Sequence, residues 1–201
     1  MLPENVYRFT ILTLLLIAFT YSGYIRRKAN QTGDDEITFD DEPRPIYFMR
    51  VGGALLGYGG LLIYLIHPAW MDWAQFSSPG WLRLAGLGLC VINVPLLLWM
   101  LRTLGNNITP TVITREDHHL VTGGPYRYIR HPLYTFGGFM FMGIGLALAN
   151  WWILLWLGIA MVALVQRTDV EEARLLEQFG DEYRAYMKRT GRFFPRLGSA
   201  S

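Results

Sequence analysis

Four long apolar blocks alternate with polar stretches along this chain, and the pattern closes on a charged amphipathic segment. Residues 6–24 are apolar apart from Arg8 and scattered Ser, Thr and Gly. A membrane crossing takes roughly 20 such residues at about 1.5 Å each to cover about 30 Å of hydrocarbon. Glu4 before the block and Arg26-Arg27-Lys28 after it fit a retained span better than a cleaved leader, which wants a basic start and a small-residue cleavage site. Residues 29–46 are a polar, acidic connector, and residues 48–66 predict a second span. Gly53 and Gly57, four apart, share a face of that helix and allow close helix packing. Trp70, Trp73 and Trp81 form an interfacial aromatic belt, and residues 81–101 predict a third span with Pro95 inside it.

The fourth block, 132–166, is apolar and is broken in its interior only at Asn150. As one straight helix it would measure about 50 Å, too long for a single crossing. Two helices turning at Asn150 are predicted instead, each about 24 Å long and slightly short for a full span. From Val170 the sequence EEARLLEQFGDEYRAYMKR predicts an amphipathic helix. The fold class expected is therefore an all-α integral membrane protein of about five transmembrane helices. The last two form a tight hairpin, followed by a cytoplasmic amphipathic helix. One domain covers 1–201: a three-span part over 1–101, then a part over 102–201 that carries the polar chemistry. No internal repeat is visible.

Composition agrees with this pattern. Of 201 residues, 52% are hydrophobic and 17% charged, against about a quarter charged in soluble domains. A net charge of +2 gives no footing for nucleic acid. The single cysteine, Cys90, lies in an apolar block and reads as a small packed group. All of the 18 Lys and Arg except Arg8 and Arg83 fall on one side of the predicted topology. The positive-inside rule makes that side cytoplasmic, with an outside N-terminus and an inside C-terminus. The polar segments 102–130 and 167–195 then share a compartment.

Two clusters carry candidate chemistry. Arg130 and His131 precede Pro132, which suits a first helical turn. Unpaired N–H groups at that helix start, beside Arg130, suit a carboxylate, while an Arg snorkelling to lipid phosphates is the competing reading. Glu171 and Glu172 follow Arg167 at the end of the fifth helix. They are either its water-facing boundary or a pair placed to hold a cationic cofactor, with Arg167 facing an anionic substrate group. No Gly-x-Gly-x-x-Gly follows a strand, and His118, His119 and His131 lack zinc-motif spacing, so neither a Rossmann site nor a metal is expected.

LGNN (104–107), HHLVTGGPYRYIRHPLY (118–134) and EEARLLEQFGDEYRAYMKRTGRFFP (171–195) resemble the isoprenylcysteine carboxyl methyltransferase family, related to the phospholipid methyltransferases. The resemblance covers the C-terminal half and is that of a short, prokaryotic-type member. It implies a membrane-embedded methyltransferase using S-adenosyl-L-methionine and releasing S-adenosyl-L-homocysteine. By position it implies catalytic roles for Arg130 and Glu171. A cofactor pocket would be lined by Thr111, His118, His119, Leu120, Val121, Tyr126, His131, Pro132, Leu133, Tyr134, Glu171 and Glu172. Arg167, with Arg130, would bind substrate. The partners implied are the bilayer and a lipophilic acceptor, most directly an isoprenylcysteine-type carboxylate. Methylation of a phospholipid amine or of a small thiol, a sterol-reductase-like oxidoreductase and a non-catalytic scaffold stay open as alternatives.

Overall fold

The computed structural model describes residues 2–30, 44–104 and 120–196. Six α-helices account for most of them: α1 Glu4–Asn30, α2 Arg44–Ile66, α3 Gly80–Leu104, α4 Pro132–Ala147, α5 Trp151–Gln166 and α6 Thr168–Arg189. Short 3-10 segments lie at Pro68–Ala74 and Gly124–Arg127. Among the described residues there is no strand, only two isolated bridges. Four helical runs are long and apolar enough to cross a membrane: Glu4–Lys28, Arg44–Ile66, Gly80–Leu104, and Trp151–Arg189, whose apolar part is α5. α4, with 16 residues, is the shorter apolar helix that the length of the 132–166 block requires. The all-helical membrane fold expected from the sequence is thus the fold observed.

Small residues set the helix spacing. A Cβ on Gly53 would lie 2.9 Å from the Ala160 backbone nitrogen, and one on Gly57 would lie 3.0 Å from that of Leu157, so α2 and α5 touch backbone to backbone. Gly86 of α3 meets α4 in the same way, 2.8 Å from the Gly143 carbonyl oxygen. Buried Cys90 packs into this seam, its Sγ 3.8 Å from the Met140 carbonyl. Without a water-driven hydrophobic force inside lipid, such close van der Waals packing is a main source of helix association. Pro95 lies within α3 and does not end it.

The hairpin turns at Asn150, as its sequence position predicts. Its side-chain oxygen accepts from the Ile153 N–H at 3.1 Å, an N-cap for α5, and its amide donates to the Met71 carbonyl at 3.5 Å. The same end of the bundle explains the two exceptional arginines. Arg83 pairs with Glu4 at 2.7 Å, donates to the Ala147 carbonyl at 2.8 Å and stacks over the Tyr7 ring at 4.1 Å. Arg8 donates to the Leu65 carbonyl and, at 3.1 Å, to that of Ile66, satisfying the C-terminal end of α2. Tyr64 donates to Glu4 at 2.7 Å. These bonds gather the start of α1, the end of α2, the start of α3 and the end of α4 at one face. The Arg130–Pro132 turn and α6 therefore lie at the other.

Candidate active site

The site grows from two chain segments that meet after α6. Pro125 opens the 3-10 turn Gly124–Arg127, Ile129 is buried, and Arg130-His131 leads into α4 with Pro132 in its first turn. His131 has φ −121° and ψ 63°, so the chain bends there before the helix begins. The segment after α6 returns alongside. Gly191 N–H donates to the Tyr128 carbonyl at 3.2 Å, Arg130 N–H to Gly191 at 2.9 Å, and His131 N–H to Arg192 at 3.0 Å. Thr135 Oγ1 donates to the Phe193 carbonyl at 2.8 Å, and Tyr186 Oη donates to that of Tyr126 at 2.7 Å. Backbone groups that the bend leaves unpaired find their partners in this return.

Seven charged or titratable groups meet in the space so defined. Arg130 Nε donates to Glu172 Oε1 at 2.8 Å, while its Nη1 donates to the carbonyls of Thr190 (2.7 Å) and Met187 (3.3 Å). His131 stands between the two glutamates, Nε2 3.1 Å from Glu172 Oε1 and Nδ1 3.5 Å from Glu171 Oε2. Tyr134 Oη donates to Glu171 Oε1. Arg192 pairs with Asp169 and brings its Nε to 3.5 Å from Glu172 Oε1. The Arg130 and Glu172 side chains are only 10% and 11% exposed, so this pairing is shielded from water.

Electrostatics follow from the geometry. Burial pushes the Glu172 carboxyl up, but His131 and Arg130 more than offset it and hold the group at about 2, against an ordinary 4.5. Burial likewise pushes the His131 imidazole down, and the two glutamates override it, so its pKa is raised. Near neutral pH Glu172 is ionised and engaged by cations, whereas Glu171 meets a phenol and one imidazole edge.

The structure thus brings together Arg130, His131, Tyr134, Glu171 and Glu172, with Pro132 starting the helix that supports them. Tyr126 sits at the edge, close enough to Glu171 to feel its charge. Arg167, between α5 and α6, lies within electrostatic reach of Tyr134. Leu120 and Val121 are half-buried ahead of the 3-10 turn and Leu133 is 45% exposed, outside the polar cluster. Thr111, His118 and His119 lie outside the described residues. The anion seated beside Arg130 and the α4 start is the protein's own Glu172, a partner that sequence reasoning did not assign. Arg192 and Thr190 were also missed; a basic residue just past a helix end was the one signal for Arg192. Among the described residues no three His, Cys, Asp or Glu converge to hold a metal ion.

An apolar groove of about 410 Å³ runs between α4 and α5, lined by Gly138, Phe141, Leu154, Gly158, Met161 and Gln166 among others. Gly138 lies one turn beyond Tyr134 and Gln166 is next to Arg167, so one end of the groove is at the level of the polar cluster.

Fold and site together define a polytopic helical membrane protein with a carboxylate-centred polar cluster at one membrane face, beside a hairpin groove. Residues 81–182 match the phospholipid methyltransferase family, and the chain belongs to it. It is 31% identical over 124 residues to the Homo sapiens protein-S-isoprenylcysteine O-methyltransferase, covering 58% of this chain and 42% of that protein. It is 34% identical over 125 residues to the Dictyostelium discoideum protein of the same name, covering 59% and 52% respectively. The chain spans about half the length of these curated relatives. A solved structure titled a eukaryotic intramembrane Ras methyltransferase, isoprenylcysteine carboxyl methyltransferase, superposes with a TM-score of 0.61 at 23% identity. That match covers 96% of this chain and 68% of the other and speaks for the fold.

Proposed function

We propose that this protein is an S-adenosylmethionine-dependent methyltransferase that acts at the membrane surface on a lipophilic acceptor, by O-methylation of an isoprenylcysteine-type carboxylate. The observation that carries this is the pairing of Glu171 and Glu172 with the Arg130–Tyr134 turn, at one end of an apolar groove. The donor set fits the cofactor: its amino-acid ammonium calls for a carboxylate, and Glu171, with its side chain 19% exposed, is the one of the pair whose recorded partners among the described residues are a phenol and an imidazole. When bound, the cofactor supplies a methyl group on a sulfonium, an already activated donor.

What remains for the protein is positioning, worth roughly 7–11 kcal/mol in well-oriented reactions. Glu171 holds the donor's cationic end, and Tyr134 and His131 fix the carboxylate's orientation. Arg130 acts by holding Glu172 and the returning tail. Arg167 orients the acceptor carboxylate. Attack by an anion on a cation cancels charge, so a site walled by the apolar hairpin favours that change over water. The groove between α4 and α5 takes the acceptor's hydrocarbon chain from the bilayer while its head reaches Arg167. The positive-charge bias puts the polar face, α6 and the C-terminus in the cytoplasm and the N-terminus outside.

A second reading, N-methylation of a phospholipid amine, draws on the description of the matched family. A radiolabelled methyl-donor assay run in parallel on a farnesylcysteine analogue, aminophospholipids and small thiols separates the two. Label in the farnesylcysteine ester, released by base, supports the first reading. Label confined to phospholipid supports the second.

A further inference from the structure

The chain beyond Arg189 does more than terminate α6. We infer that the segment Thr190–Phe193 is a strap that positions the carboxylate site, with Arg192 as its positioning residue acting through Glu172. This role rests on the methyl-transfer reading above and concerns how that same site is kept in register.

Three independent features carry it. The strap is bonded to the turn that holds Arg130 and His131 through the Gly191 and Arg192 carbonyls and the Gly191 N–H, and to Thr135 in the first turn of α4 through the Phe193 carbonyl. Thr190 adds its carbonyl to Arg130 Nη1. Second, the path has little tolerance. A Cβ on Gly191 would lie 1.7 Å from the Phe194 carbonyl oxygen, so only glycine fits the tight return. Gly180 helps aim it: with φ +49° and ψ −119° it breaks α6 internally, so its second half runs to the strap in a new direction. Third, Glu172 Oε1 is faced by three groups at 2.8 Å, 3.1 Å and 3.5 Å from Arg130, His131 and Arg192.

These features divide labour within the glutamate pair. Glu172 is committed to a ring of cations, one of them delivered by the strap. It passes its orientation to His131, whose other ring nitrogen faces Glu171. Arg192 therefore influences the cofactor carboxylate without touching it, through the relay Arg192, Glu172, His131, Glu171. Its side chain is one-third exposed, so screening keeps the effect moderate.

The test uses the full chain in detergent, with Arg192→Gln, Arg192→Lys and Gly191→Ala. Calorimetry with S-adenosylhomocysteine, steady-state KM values for S-adenosylmethionine and a farnesylcysteine analogue, and the melting temperature are measured for each. Arg192→Gln is expected to weaken S-adenosylhomocysteine roughly 3- to 10-fold, as for coupled neighbours. The donor KM should rise in parallel while the acceptor KM and melting temperature hold. Lys, which keeps the charge but loses the planar fork, should recover part of the loss. Gly191→Ala should weaken binding at least as much and should speed amide exchange at Arg130 and His131. Wild-type affinity in both Arg192→Gln and Gly191→Ala would overturn the strap's role, as would equal rises in both KM values with a lowered melting temperature. A wild-type protein that binds no S-adenosylhomocysteine, with those two amides still protected, would defeat the methyl-transfer reading itself and the strap's role with it.

Discussion

Replacing Glu172 by glutamine keeps the side chain's shape and removes its charge, which isolates what the carboxylate contributes to the polar face. Two routes give the magnitude. A carboxyl held at about 2 instead of 4.5 gains about 3 kcal/mol at neutral pH, at about 1.4 kcal/mol per unit. Breaking a buried pair by removing one partner typically costs roughly 3–5 kcal/mol, and here Arg130 keeps carbonyl bonds to Thr190 and Met187 that soften the loss. The expected destabilisation is therefore about 3 kcal/mol at pH 7. Its pH dependence has a definite sign. A depressed carboxyl contributes its stability above its unfolded value, so the wild-type advantage should hold above about pH 5. It should then decay as the pH falls from about 4.5 towards 2, where protonated Glu172 resembles glutamine. Denaturant unfolding of both proteins in one detergent, followed by amide exchange at residues 128–131, measures the difference. Equal stability at pH 7, or a difference that does not shrink with acid, would refute the ion-pair assignment.

Three further expectations follow from other parts of the molecule. His131 has a raised pKa because Glu171 and Glu172 outweigh its burial, so its contribution is full below the unfolded value of about 6.5 and is lost as pH rises through the folded one. Melting temperatures from pH 6 to 9 should fall more in wild type than in His131→Gln, and parallel curves would contradict this. At Gly158, where nothing lies within 4 Å of an added Cβ, leucine should fill the groove without moving the helices. Turnover of a farnesyl-chain acceptor should fall several-fold while a five-carbon analogue is spared, and equal effects on both would remove the groove from the acceptor's path. On the opposite face, Arg83→Met leaves Glu4 with only Tyr64, and the Ala147 carbonyl without its arginine donor, and should cost roughly 1–3 kcal/mol, seen as a lower melting temperature. S-adenosylhomocysteine affinity at the other membrane face should stay unchanged, and a parallel loss of binding would show the two ends to be coupled.

The helices were legible because their signals are local. A 35-residue apolar block has to fold back on itself, and Asn150, the one polar residue well away from its ends, is also a competent N-cap. Gly53 and Gly57 announced a close contact by spacing alone, though not that α5 would be the partner. The charge bias singled out Arg8 and Arg83 as exceptions but could not say that helix-end carbonyls and Glu4 hold them. The meeting of the Arg130 turn with the glutamate pair was legible only through resemblance, since no periodicity links positions 42 residues apart. The strap was not legible. EEARLLEQFGDEYRAYMKR reads as one amphipathic helix, and only the left-handed φ at Gly180 shows where that helix changes direction. Nothing local in the sequence says, either, that Glu172 is the anion beside Arg130.

Calorimetry of S-adenosylhomocysteine binding to wild type and Glu171→Ala, with melting temperatures on the same samples, is the most direct test of a methyl-donor site at this carboxylate. Micromolar-range binding in wild type, abolished in a variant that melts normally, is the predicted result. Unchanged affinity in Glu171→Ala would contradict it.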